Sequence, residues 1–206
     1  MPAPNTLDEL LERLRQTQRE LEQELDRLLE EKSRQFQYHL DRGKVVFEQN
    51  VRRWQKQYRA STWGYLLRAP LLYILSAPFI YGMIIPLVLL DLGISIYQQV
   101  CFRVYRIPRV RRRDHLVFDR QHLAYLNPIE KLNCTYCSYA NGLISYCREI
   151  AARTEQFWCP IKHARRTLDA HRRTSRYLDY GDAQAWRSEL RRVRGDWAPD
   201  GPEGQN

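Results

Sequence analysis

Leucines recur at Leu7, Leu11, Leu14, Leu21, Leu25 and Leu28, and Gln18 and Lys32 complete the alternating steps of four and three. That spacing is the heptad seam of a coiled coil. Asn5 or Thr6 is placed to cap the helix, with Asp8 and Glu9 in its first turn. No Gly or Pro follows from Thr6 to Arg42, and residues 1–42 are therefore read as a coiled coil. Gln18 in the seam costs stability but can fix register. A stripe this narrow needs a second helix to cover it, either a homo-oligomer or a coiled-coil partner.

The next amphipathic pattern covers Lys44 to Tyr58. Phe47, Val51, Trp54 and Tyr58 share one face, and Arg52, Arg53, Lys56 and Arg59 make the rest basic. Residues 43–62 are read as a juxtamembrane helix with its aromatics at headgroup depth. Continuation of the coiled coil is the alternative.

An apolar block then runs from Trp63 to Phe102. From Ala69 to Leu90 there are 22 residues without a charge. A bilayer core needs about 20 apolar residues as helix. Pro70, Pro78, Pro86 and Gly82 supply bend points. Both flanks are basic, with Arg52, Arg53, Lys56, Arg59 and Arg68 before the block and Arg103, Arg106, Arg109 and Arg111 to Arg113 after it. The positive-inside rule places such flanks on the cytoplasmic side. Residues 63–102 are thus read as a membrane hairpin or re-entrant wedge, with a single kinked transmembrane segment as the alternative. Asp91 is expected to end a helix near the interface, with Arg68 as a partner.

Residues 103–194 alternate short apolar faces with arginine. Cys134 and Cys137 form a C-x2-C pair, and Cys159 and His163 form a C-x3-H pair 21 residues later. Thiolates and imidazole at these spacings suit a closed Cys₃His zinc site. Pro160 suits the first residue of a helix capped by Cys159, which would turn His163 toward it. The set closes only if the helix carrying Leu143, Cys147 and Ile150 ends near Arg153 and residues 154–158 return. Cys147 is the alternative fourth ligand, and four thiolates would also suit an iron–sulfur cluster. Haem ligation through Cys159 is a weaker option. No phosphate loop, dinucleotide fingerprint or thioredoxin-like pattern appears, and no catalytic residue is assigned.

Arg165, Arg166, Arg172, Arg173 and Arg176 precede Gly181. Asp182 then caps a last helix with Trp186, Leu190 and Val193 inward and Arg187, Arg191, Arg192 and Arg194 outward. Residues 195–206 have the composition of a disordered tail.

Composition sharpens this division. The mean hydropathy of −0.61 hides the apolar block inside a polar chain. Residues 1–62 hold 12 Lys/Arg and 11 Asp/Glu, whereas residues 103–206 hold 20 and 12, so most of the net +9 follows the block. A basic module beside a membrane meets anionic headgroups first and nucleic acid second. The N-terminus lacks the apolar region of a secretory signal, so a reducing compartment and metal binding rank above disulfides for the five cysteines.

The fold class read from the sequence is mainly α, with an N-terminal coiled coil, a membrane-embedded helical hairpin and a small helical Cys/His domain. The function expected is a membrane-anchored scaffold or adaptor, with soluble parts on the cytoplasmic side. The alternatives are a membrane-bound redox or metal enzyme built on the cysteines, and a membrane-tethered nucleic-acid binder.

Overall fold

The structure, a computed structural model, describes residues 6–41, 44–165, 167–168 and 170–197. The expected cap Asn5, Arg166 and the tail from Ala198 onward lie outside these residues. The chain is mainly helical, as its patterning predicts.

Helix α1 spans Thr6–Gln35. The seam residues Leu14, Leu21, Leu25 and Leu28 are exposed along it. Ion pairs within the helix, Arg27 to Glu24 and Arg34 to Glu30, lie on its polar faces. The helix stops short of residue 42 because Gln37 takes a left-handed φ of 51°.

Strands β1 (Tyr38–Asp41) and β2 (Lys44–Phe47) then pair antiparallel, with Tyr38 opposite Phe47. The sequence reading placed a helix from Lys44 onward. Val45, Val46 and Phe47 instead take the extended form that β-branched and aromatic residues favour. The two facing rings stand 5.5 Å apart. Helix α2 is correspondingly shorter, Gln49–Gln57. It docks through buried Gln55, whose Oε1 accepts from the Ala124 amide at 3.2 Å. Trp54 and Tyr58 stay exposed.

Helix α3 (Thr62–Arg68) ends at Ala69 and Pro70, both extended. Helices α4 (Leu71–Gly82) and α5 (Ile84–Val104) follow. The sequence reading favoured a reversal within this block, but the chain does not turn back between them. Met83 keeps right-handed dihedrals of −63° and −11°, and its carbonyl accepts from Leu87 N at 3.3 Å. Pro86 falls in the first turn of α5, where its missing N–H disrupts little. The result is one kinked helix of 34 residues, long and apolar enough to cross a membrane.

Helix α6 (Pro128–Trp158) organises the rest. Asn127 and Glu130 form a reciprocal capping box at 2.9 and 2.8 Å, and Pro128 occupies the first turn. Such a cap is worth about 1 kcal/mol. The core gathers Phe102 from the end of α5 and Ile107 and Val110 from the loop after it with Leu143, Tyr146 and Ile150 of α6. Each of its larger side chains contributes about 2 kcal/mol by leaving water. Gly142 lets the 115–116 loop lie against α6, since a Cβ there would stand 2.8 Å from the His115 carbonyl oxygen. A 3₁₀ turn over Arg172–Arg176 and helices α7 (Ala183–Ser188) and α8 (Leu190–Gly195) close the far end. Asp182 caps α7 and Val193 of α8 is buried as expected, but the single last helix read from the sequence is broken at Glu189. Trp197, assigned by sequence to the tail, packs on the core instead.

Candidate functional site

The seam between α5 and α6 joins the apolar helix to the basic domain. The continuous α4–α5 helix and α6 run side by side and parallel. Their contacts advance together, from Tyr81 with Asn133 through Asp91 with Tyr139 to Gln98 with Tyr146.

Asp91 is the centre of this seam. Its carboxylate takes a two-pronged contact from the Arg112 guanidinium, with Nη2 at 2.5 Å from Oδ2. The Tyr139 hydroxyl donates to the same oxygen at 2.9 Å. Burial first, and the Asp91 carboxylate second, hold the Tyr139 hydroxyl above its ordinary value, so it stays a protonated donor. The sequence reading paired Asp91 with Arg68. The structure gives it Arg112, because the 105–127 loop folds back along α5. Two turns further on, Gln98 is buried, accepting from Val110 N at 2.6 Å and donating to Tyr146 Oη at 2.7 Å.

The opposite face of α5 is apolar and uncovered. Ile85, Leu89, Leu92, Ile96 and Val100 are exposed at helical spacing. On α4, Leu71, Leu72, Tyr73 and Phe79 are exposed around much of the helix.

A second polar cluster fixes the distal end. Arg173 is buried, and its Nε and Nη2 donate to Glu149 Oε1 at 3.2 and 2.9 Å. Its Nη1 donates to Gln156 Oε1 at 3.0 Å, and Gln156 Nε2 reaches the Val193 and Asp196 carbonyls. Arg153 holds Glu149 from one helical turn away at 2.7 Å. Burial pushes the Glu149 carboxyl up, but Arg153 and Arg173 outweigh it and hold it below its ordinary 4.5. His171 Nε2 lies 2.7 Å from Glu155 on the same helix.

The cysteines expected to bind metal are distributed along α6. Cys134 and Cys137 lie one turn apart near its start, half-buried and exposed respectively. Cys147 is half-buried beside the core, and burial pushes its thiol up. Cys159 is the exposed C-terminal cap, and His163 is exposed beyond it. Closure of the metal set requires this helix to end near Arg153. It continues to Trp158 because Gln156 and Phe157 bury against the core and α8. Cys137 and Cys159 are therefore about 33 Å apart at the helical rise.

Pro160 starts no helix either. Leu178 N donates to its carbonyl at 2.9 Å, and Lys162 N donates to Leu178 O at 2.8 Å. A zinc ion shared by Cys134, Cys137, Cys159 and His163 would require the last turns of α6 to unwind. Among the described residues, no group of three or more His, Cys, Asp or Glu is gathered to hold a metal.

No family model, curated protein or solved structure matches the chain. The seam and the distal cluster were not singled out as sites from the sequence. Asp91, alone among apolar neighbours, is the one residue whose pattern signalled a buried polar contact.

Proposed function

We propose that the protein is a membrane-anchored adaptor. In this reading, α4 dips into the bilayer and α5 lies along its surface with its outer face in lipid. The α6-centred domain rests on the cytoplasmic face, and α1 extends from it to pair with a helix.

The observation that carries this reading is the uncovered apolar surface over Leu71–Val104, whose most apolar stretch has no buried residue. Contiguous exposed apolar surface on that scale marks an interaction site or a membrane contact. The neighbours favour an interfacial pose over an upright span. Thirty-four residues make about 51 Å of helix, well beyond the roughly 30 Å hydrocarbon core. Helix α6 accompanies α5 and carries Glu130, Lys131, Arg148, Glu149 and Arg153. Charges of that number do not sit at bilayer depth. An α5 lying flat keeps α6 in water and puts both basic flanks on one side, which is the arrangement the positive-inside rule asks for.

The adaptor part rests on the exposed heptad leucines of α1. The test has two arms. Full-length protein in sealed vesicles should resist carbonate extraction, while protease added from one side should reach both α1 and α7. A full chain that is soluble and monomeric without detergent would overturn the anchor. In the second arm, Leu14→Asp with Leu21→Asp should abolish cross-linking through α1 in membranes. Unchanged cross-linking would overturn pairing by this face.

A further inference from the structure

An open groove of about 560 Å³ lies where α5 ends, between the end of α6 and helices α7 and α8. Four arginines line it, Arg106, Arg187, Arg191 and Arg194, and no acid does. Four guanidinium groups around one concavity repel each other unless an anion joins them.

The nearby acids do not relieve this charge. Glu189 is held by Arg192 at 2.5 Å, and Asp196 by Arg176 at 3.3 Å. The Arg106, Arg187 and Arg191 side chains make no hydrogen bond or ion pair among the described residues. Arg194 stacks over Phe157 with 5.5 Å to the ring centroid, and its Nε is buried without a partner. Arg106 adds a further sign. Its φ is +57°, at the turn where Ile107 N closes onto Phe102 O. Glycine is the usual residue at that position, and a side chain there costs about 1 kcal/mol. Here the strained residue contributes a cation to the groove.

Aromatic rings form the apolar wall. Tyr105 packs against Phe157 with 5.1 Å between ring centroids, and Trp186 and Trp197 complete the lining. Rings of this kind suit the boundary between headgroups and acyl chains. The groove opens directly after Val104, where the apolar helix ends. That position sets a headgroup, rather than a soluble anion, within reach.

We propose that this groove binds the phosphate of an anionic lipid headgroup. Guanidinium forks match phosphate oxygens in geometry and charge. Arg106, Arg187 and Arg191 would hold the phosphate, and the aromatic wall would pack on the glycerol and first methylenes. This inference rests on the membrane reading above, because the lipid is presented at the end of α5.

The test uses full-length protein in an uncharged detergent, offered short-chain phosphatidic acid, short-chain phosphatidylcholine or inorganic phosphate. Retained lipid is read by native mass spectrometry. Phosphatidic acid should be retained and phosphatidylcholine not. Arg187→Gln with Arg191→Gln should weaken retention at least about tenfold, since each removes a charge-assisted contact. Arg120→Gln with Arg165→Gln, the same charge loss elsewhere, should leave it unchanged. Arg106→Gln serves as an independent second variant.

Equal loss in the groove and control variants would overturn the site in favour of diffuse charge. Inorganic phosphate bound as tightly as phosphatidic acid would overturn the lipid assignment. Displacement of the lipid by a single-stranded oligonucleotide at lower concentration would reassign the groove to nucleic acid. Carbonate extraction of the same groove variants separates the two readings. Variants that stay in the membrane but lose phosphatidic acid support the groove. Wild-type protein that stays anchored without lipid preference overturns the groove alone.

Discussion

Replacing Glu149 by alanine should loosen the whole distal end of the domain. The Arg173 side chain is 5% exposed and Glu149 27%. The substitution leaves Arg173 buried with Gln156 as its remaining side-chain acceptor. Stranding one member of a buried ion pair costs about 3–5 kcal/mol. Glu149 is a quarter exposed, which admits some water and places the loss at about 3 kcal/mol. For a chain of this size that corresponds to a fall in Tm of about 6–12 °C. Thermal unfolding of the full-length protein in detergent, followed by circular dichroism, reads this directly.

Two further variants make the reasoning refutable. Glu149→Gln keeps an acceptor and should lose less. Glu149→Leu with Arg173→Met removes both charges and should recover most of the stability, because the cost lies in the stranded cation. A Tm within about 2 °C of wild type for Glu149→Ala would mean that Arg173 is already solvated. The pH dependence has a definite sign. The folded carboxyl lies below its ordinary 4.5, so its contribution is complete above that value. It is lost as pH falls through the lowered folded value, and wild type and Glu149→Gln should converge there.

Three other outcomes follow from the seam and its surroundings. Asp91→Ala removes the two-pronged Arg112 contact and the Tyr139 bond; Arg112 is 45% exposed, so water recovers part of the loss and about 2 kcal/mol is expected in the same melt. Gly142→Ala drives a methyl group to 2.8 Å from the His115 carbonyl oxygen and 3.0 Å from Leu116 Cα, both backbone atoms. It should cost about 1–3 kcal/mol, and an unchanged Tm would show that the loop moves aside freely. Maleimide labelling near neutral pH should modify exposed Cys137 and Cys159 well before Cys147, whose thiol is raised by burial. Equal rates at the three would refute the packing of α6.

Helical periodicity and the charge-free block made the main elements readable. Leu14 to Leu28, Ala69 to Leu90, and the inward Val193 follow local pattern, which a chain carries without tertiary help. The misreadings share one cause. Val45 to Phe47 fit an amphipathic helix by spacing, yet the hairpin partner Tyr38 to Asp41 decided their form. The same holds for Pro160, which suits a helix start by local preference but pairs with Leu178 across the fold. Closure of the metal set needs residues 154–158 to turn back, but the burial of Gln156 and Phe157 keeps them helical. In each case a long-range contact overrode a local preference.

Spacing along the chain leaves both the metal set and the acid undecided. C-x2-C and C-x3-H are legible as spacings, but whether they meet depends on the length of the helix between them. That length is set by what α6 rests on, the inner face of α5 and the α8 turn. Asp91 poses the same problem in reverse. Alone in an apolar run it looks like a helix end or a membrane charge, because Arg112 is 21 positions away. Once Arg112 and Tyr139 are in place, the acid joins the apolar helix to its basic domain. In the proposed membrane pose, a helix pinned along one side by Asp91 and Gln98 has only its opposite face to offer to lipid. Stability of the domain and depth of the anchor should therefore respond together to Asp91→Ala, and a change in one without the other would break that link.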